Sequence, residues 1–207
     1  MRLIFPIVLW TLTLLQAYLL GNLNGAILVS KYLMHDDVRR HGSGNAGLTN
    51  YFRTYGGIQS LLVIAVDFLK CVLACVIARW LLPADPLHAT LGAGLACILG
   101  HSYPVFSGFK GGKGILCGAA LGLMVDGRVF AIIMTVFVLL VALTRLVSLG
   151  SVLAAVTFAV CVCAFYWGDW ATCCLAVAAA AFVIWRHRGN IVRLLRGTES
   201  KLTFHKK

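Results

Sequence analysis

Three polar segments interrupt an otherwise apolar chain, and their residue types point to the binding of phosphate-like anions. The first, residues 42–53, reads Gly-Ser-Gly-Asn-Ala-Gly-Leu-Thr-Asn-Tyr-Phe-Arg. Its glycines, Gly47 among them, let main-chain N–H groups turn toward a ligand; Ser43, Asn45, Thr49 and Asn50 add short neutral donors, and Arg53 adds a planar fork matched to phosphate. The Lys-Ser/Thr pair of a nucleotide-binding Walker loop is missing. The plainer reading is a Gly-Asn turn leading into a capped helix. The second segment has Gly-His-Ser-Tyr-Pro at 100–104 and Phe-Lys-Gly-Gly-Lys-Gly at 109–114. Gly111 and Gly112, with Lys110 and Lys113 at the start of a helix, combine free N–H groups, the positive end of a dipole and mobile ammonium charges. A breaker loop with lipid-facing lysines would look the same. The third segment runs from Trp185 to the C-terminus and carries His187, Asn190, Arg193, Arg196 and Glu199. On a helix His187 and Asn190, three apart, share a face just outside the apolar run.

The elements that must position these groups follow from composition. Of the 207 residues 60% are apolar and 12% carry a formal charge, against roughly a quarter charged in soluble chains. Eighteen Lys and Arg with seven Asp and Glu cannot clothe a soluble globule, so the chain belongs in a bilayer. Residues 3–30 hold no formal charge, and similar blanks cover 54–66, 86–109, 114–125, 129–144, 146–168 and 170–185. A spanning helix needs about 20 apolar residues. The second blank reaches that length only by running through Asp67 and Lys70 to about Ile77. Residues 114–125 cover about 18 Å as a helix, short of the roughly 30 Å hydrocarbon core. They form a tilted, thinned or re-entrant segment, with Asp126-Gly127-Arg128 as the turn that follows.

The expected fold is therefore all-α: a polytopic integral membrane protein of seven membrane segments, the fourth short, forming one domain over residues 1–207. Fourteen of the eighteen Lys and Arg fall in one set of connections, three (Arg2, Arg79 and Arg128) in the other, and Lys70 lies in a span. The cationic set marks the cytoplasmic side, which places the N-terminus outside and the C-terminus inside. The net charge of +11 then forms a basic face toward anionic membrane lipids. No basic segment interleaved with aromatics points to nucleic acid. The eight Cys lie almost wholly inside apolar runs without a Cys-x-x-Cys pair, so they read as small hydrophobes, and neither a metal nor a cofactor is expected. Gly92-Gly94-Ala96 and Ala178 to Ala181 read as close helix packing. Asp67 and Lys70, three apart on one face, either pair to lower their burial cost or lend Lys70 to the anion field.

Taken in order, the segments resemble the bacterial acyl-phosphate-dependent glycerol-3-phosphate acyltransferase family (PlsY-type) over nearly the whole chain. The resemblance rests on residues 42–53, 100–104, 109–114 and His-Arg-Gly-Asn-Ile-Val-Arg-Leu-Leu-Arg-Gly-Thr-Glu-Ser-Lys at 187–201, with Asp67 and Lys70 as an Asp-x-x-Lys and with Ser148 and Ser151 in the loop before the sixth span. It implies transfer of a fatty acyl group from acyl phosphate to the sn-1 hydroxyl of glycerol 3-phosphate, giving lysophosphatidic acid and inorganic phosphate. It places the multi-pass enzyme in the bacterial inner membrane with its active site toward the cytoplasm, where other enzymes of phospholipid synthesis are its neighbours. The resemblance makes His187, Lys113, Asn190 and Ser43 the catalytic set. Asn45, Gly47, Thr49, Asn50, Arg53, Lys110, Gly111, Gly112, Ser148, Ser151, Arg193 and Glu199 form the substrate-binding set.

This chemistry agrees with the residues. An acyl phosphate is an activated anhydride, so the enzyme has chiefly to bring two anions together and stabilise a developing oxyanion. The attacking proton goes to His187, helped by Glu199 if the tail folds back, or to a substrate phosphate oxygen. No His is followed five positions later by Asp, and no Gly-x-Ser-x-Gly elbow occurs. The chain departs from the family pattern at Asn22 and Asn24 (usually Ser and Pro), at Cys71 (often Gly) and at Ile115-Leu116-Cys117 (usually Val-Ala-Thr). A transporter of an organophosphate or other anion is the rival reading, since intramembrane charge and half-length segments also mark transport pathways.

Overall fold

The computed structural model describes residues 4–202, so Arg2, His205, Lys206 and Lys207 lie outside the described residues. Ten α-helices and two short 3₁₀ turns, with no strand among the described residues, make up the chain. They are α1 (Ile4–Gly21), α2 (Gly25–Leu33), α3 (Leu48–Tyr55), α4 (Ser60–Leu81), α5 (Pro86–Ser102), α6 (Ile115–Val125), α7 (Gly127–Thr144), α8 (Val147–Phe165), α9 (Trp170–Arg186) and α10 (Arg188–Leu195).

Four helical stretches are long and apolar enough to cross a membrane, or up to six if each of two bent pairs is one span. The long first blank is such a pair: α1 ends at Gly21, Asn24 caps α2 by accepting the N–H of Ile27, and the two helices bend by 41°. The second is α9 and α10, which bend by 61° at His187. Helix α4 continues through Asp67 and Lys70 to Leu81, slightly beyond the expected end. Helix α6, at eleven residues, is the short segment. Asp126 turns the corner after it by capping α7, its carboxylate accepting the N–H of Arg128 at 2.8 Å.

Large apolar side chains face outward and small ones face in. Leu69, Leu73, Leu139, Leu143 and Val160 are exposed, while Ala74, Ala78, Ala93, Ala120 and Ala176 are buried. Lipid replaces water as the partner of the bulky side chains, so the bundle closes by backbone approach instead. The crossing of α1 with α5 depends on it. A Cβ on Gly21 would meet the Cys97 carbonyl oxygen at 2.3 Å, and one on Gly100 would meet that of Tyr18 at 2.1 Å. Of Ala178 to Ala181, only Ala179 and Ala180 face the core, as a 3.6-residue period requires. Cys71, Cys75, Cys97 and Cys117 are fully buried between α4, α5 and α6.

Long-range hydrogen bonds place the three polar segments at one end of the bundle. Tyr18 Oη donates to the Tyr103 carbonyl, Leu202 N–H to the Arg145 carbonyl, and Arg53 to the Ser200 carbonyl. The opposite end has its own ties: Arg79 to the Met124 carbonyl, Tyr166 Oη to the Val125 carbonyl, and His88 between Asp85 and Asp169. Exposed Trp80, Trp167 and Trp170 ring that far end, and Trp185, Phe106 and Phe109 the near one, the arrangement of interfacial aromatic belts.

Candidate active site

Glu199 is the hub of the site because the tail folds back over it. Its Oε1 accepts from Asn190 Nδ2 at 2.6 Å and from Ser148 Oγ at 2.8 Å, and its Oε2 accepts from Arg193 Nε at 2.7 Å. Lys113 Nζ donates to Oδ1 of Asn190 at 2.5 Å. A lysine can only donate and an ionised carboxylate only accept, so one orientation of the Asn190 amide satisfies both. Residues from the loop before α6, the start of α8, helix α10 and the tail thus form one hydrogen-bonded chain. Burial opposes the charge of Glu199, but the bonds from Asn190, Ser148 and Arg193 outweigh it and hold the carboxyl below its usual range.

Lys113 is affected in the opposite sense. Burial first, then the Arg193, Arg186 and Arg53 charges, push its ammonium down to about 8 against the pull of Glu199. Arg53, on the exposed side of α3, reaches the tail and donates to the Ser200 carbonyl at 2.7 Å. At the α9–α10 break, His187 Nδ1 lies 2.8 Å from the Val183 carbonyl, so Nδ1 carries the proton and Nε2 keeps its lone pair. Burial lowers the imidazole to about 4; the Val183 bond opposes that shift, and the Lys113 charge adds to it. His187 is therefore neutral at pH 7.

The first loop divides into struts and free donors. Asn50 is spent internally: Oδ1 accepts the N–H of Ser43 at 2.9 Å, and Nδ2 donates to the carbonyls of Val38 and His41, each at 3.0 Å. The side chains of Ser43, Asn45 and Thr49 have no hydrogen-bond partner among the described residues, and Gly47 starts α3 without a side-chain cap, which leaves first-turn N–H groups available. In the second loop, the N–H of Gly111 goes to the Ser102 carbonyl at 3.2 Å and that of Gly112 to the His101 carbonyl at 3.1 Å. These two amides shape the loop. Lys110 is exposed, with its carbonyl against Arg39 at 3.5 Å. Ser151 Oγ bonds back to the Val147 carbonyl on its own helix at 2.8 Å, one turn from the Ser148 that joins the site.

A family model described as glycerol-3-phosphate acyltransferase matches residues 11–197. The chain belongs to the glycerol-3-phosphate acyltransferase family. It is 40% identical over 191 residues to the glycerol-3-phosphate acyltransferase of Thermoanaerobacter sp. (strain X514), covering 92% of this chain and 94% of that one. The Lactiplantibacillus plantarum protein of the same name is 36% identical, with 92% and 91% covered. Among solved structures, it is similar to PlsY, an integral membrane glycerol 3-phosphate acyltransferase, in its glycerol 3-phosphate form (TM-score 0.85, 33% identity, 94% and 96% covered). The lysophosphatidic acid form of PlsY superposes with a TM-score of 0.82 at 32% identity, covering 94% and 95%. The chain is thus an acyltransferase of this family, and multi-pass in a membrane.

Two neighbours of this polar cluster are not singled out as site residues by the sequence. Arg186 donates to the Gly112 carbonyl at 2.9 Å and to Tyr103 Oη at 3.2 Å, with its guanidinium 4.8 Å from the Tyr103 ring centroid. It braces the lysine loop from α9. Its position just before the His-Arg-Gly-Asn motif is the only signal the sequence offered, and a cation at a span end reads equally as a lipid contact. The second, Asn24, faces the first loop across the α1–α2 break.

Proposed function

We propose that this acyltransferase moves a fatty acyl group from acyl phosphate to the sn-1 hydroxyl of glycerol 3-phosphate, at the cytoplasmic face of the bacterial inner membrane. The observation that carries the reading is the hydrogen-bonded chain Lys113–Asn190–Glu199–Ser148, with Arg53 and Arg193 joined to its tail. It gathers cations and neutral donors where two phosphorylated substrates have to meet. Beneath it lies an apolar cavity of about 90 Å³ between α5, α6, α7, α8 and α9, lined by Ile115, Leu121, Ile133, Phe137, Phe158 and Val183. Val183 also holds His187 through its carbonyl, so the lining of the cavity comes within one helical turn of the imidazole. At that volume the cavity takes only the first few carbons of an acyl tail, which brings the carbonyl up to the polar chain while the rest of the tail runs out between the helices into lipid.

In the reaction the hydroxyl oxygen attacks the acyl carbon, the bond from that carbon to the phosphate oxygen breaks, and inorganic phosphate leaves. Lys113, with Arg53 and Arg193, neutralises the departing phosphate. Ser43, Asn45 and Thr49 hydrogen-bond a substrate phosphate. A phosphate monoester oxygen, with a second pKa near 6, takes a proton more readily than an imidazole held at about 4. The attacking proton therefore passes from the sn-1 hydroxyl to a substrate phosphate oxygen, and His187 Nε2 orients the glycerol by accepting a hydrogen bond from its other, sn-2 hydroxyl.

The four long helices, the bent α1–α2 pair and α9, from which α10 turns away at His187, make six spans and seven with α6, and the cationic end faces the cytoplasm by the distribution of Lys and Arg. Purified protein given acyl phosphate and labelled glycerol 3-phosphate should form lysophosphatidate and inorganic phosphate in equal amounts. Turnover with acyl-CoA but none with acyl phosphate would overturn the donor. Uptake of glycerol 3-phosphate into vesicles without acylation would overturn the whole reading.

A further inference from the structure

The two loops that carry the candidate anion ligands meet at Ala46 and Gly112, and what holds them there lies outside both. A Cβ built on Gly112 would stand 2.1 Å from His101 Nε2 and 2.6 Å from the Ala46 carbonyl oxygen. Gly112 is therefore wedged between the α5 imidazole and the backbone of the loop bearing Ser43 and Asn45. The same Ala46 carbonyl accepts from Asn24 Nδ2 at 3.0 Å. Asn24 thereby does two separable things: Oδ1 caps α2, accepting the N–H of Ile27 at 3.0 Å, and Nδ2 tethers the first loop.

The anchor for this tether is a buried polar cluster. Lys70 Nζ donates to His101 Nδ1 at 2.9 Å, to Asp67 Oδ1 at 2.8 Å and to the Leu23 carbonyl at 2.8 Å, with the Gly21 carbonyl at 3.1 Å. Asp67 Oδ1 also accepts the Gly25 N–H at 2.9 Å. The break between α1 and α2 is thus pinned to α4 and α5 on both sides of Asn24. Asn24, Asp67, Lys70 and His101 are each at most 5% exposed, and none hydrogen-bonds to the Lys113–Asn190–Glu199 chain. Lys70 has three protons for four acceptors, and His101 Nδ1 is among its three shortest contacts, with the Gly21 carbonyl the longest, so the lone pair of His101 is engaged and the ring is fixed against Gly112.

We propose that Asn24, anchored on the Asp67–Lys70–His101 cluster, is a positioning residue that fixes the separation of the two anion-binding loops and with it the mutual approach of the two substrates. This rests on reading those loops as the phosphate cradles. A proline at this position would have no side-chain donor for the Ala46 carbonyl, so the tether depends on the asparagine amide.

Asn24→Ser keeps an oxygen for the cap and removes the amide donor; Asn24→Asp keeps the cap and turns a carboxylate toward the Ala46 carbonyl. For the purified enzyme, kcat and the KM of each substrate are measured beside the thermal midpoint. A change in spacing should act on the step in which both substrates are already bound. The serine variant should lose about tenfold in kcat with each KM within about threefold and the midpoint lower by only a few degrees, leaving the enzyme folded at the assay temperature, and the aspartate variant should lose more. A serine variant with kcat within about twofold of the parent overturns the proposal. So does activity that falls only in step with the folded fraction in both variants, which would make Asn24 a cap and nothing more. Arg53→Ala, run in parallel, separates the two ideas. If it raises the KM of a phosphate substrate while Asn24→Ser leaves kcat intact, only the tether falls; if it leaves both KM values unchanged, the cradle reading falls.

Discussion

At Lys113 the sign of the pH response follows from its surroundings. Its ammonium is depressed to about 8, so the charge is full below that value and is lost as the pH rises through it. In the free enzyme kcat/KM should fall along an alkaline limb centred at about 8, while bound phosphate holds the proton and moves the limb of kcat higher. Lys113→Arg should abolish the limb, because a guanidinium does not titrate in this range; a wild-type profile flat to pH 10 would show that Lys113 is not the group that matters. At His187 the prediction is one of size. If the proton goes to a substrate phosphate, His187→Ala should lower kcat only about tenfold, well short of the roughly 10²–10⁴ that a general base contributes. A loss beyond a thousandfold would return the base to His187. The spacing of His187 and Asn190 is legible in the sequence; the Val183 bond that fixes the tautomer is not, because any helix offers carbonyls four residues back.

Among the elements, α4 carries the clearest energetic test. Asp67 and Lys70 are paired at 2.8 Å, each nearly fully buried. Removing one partner of such a pair leaves an uncompensated charge and costs about 3–5 kcal/mol. Lys70→Met should destabilise by that order, and adding Asp67→Asn should restore at least half, as read from unfolding midpoints of the single and double variants. Additive effects would mean the pair is uncoupled. Both residues stand out in the sequence as charges in an apolar run. That the ammonium also holds the Gly21 and Leu23 carbonyls does not, because the α1–α2 break falls inside 28 uncharged residues and is marked only by Asn22 and Asn24.

For the molecule as a whole, the apolar cavity between α5 and α9, proposed to take the start of the acyl tail, gives a test of donor length. Ala155 lines it from α8 and is nearly buried. Ala155→Phe should shift the preferred acyl phosphate toward shorter chains, with the KM of glycerol 3-phosphate unchanged, in turnover measured across donor lengths. An unchanged length profile would place the tail elsewhere, against the lipid-facing surface.

The sequence by itself determined the helical class, the apolar segments, the short α6 and the three polar segments. These depend on local quantities: hydropathy over about 20 residues, charge spacing, and glycine and asparagine in turns. Tertiary structure alone decided which polar groups meet. Ser148 and Ser151 are alike in sequence, yet one bonds Glu199 and the other its own helix. Asn45 and Asn50 are alike too, yet Asn50 is a strut and the Asn45 side chain has no hydrogen-bond partner among the described residues. Local patterns set where a side chain leaves the backbone. The hydrogen bond it makes depends on how the tail, the α1–α2 break and α9 fold over one another, and those contacts join residues far apart in the chain.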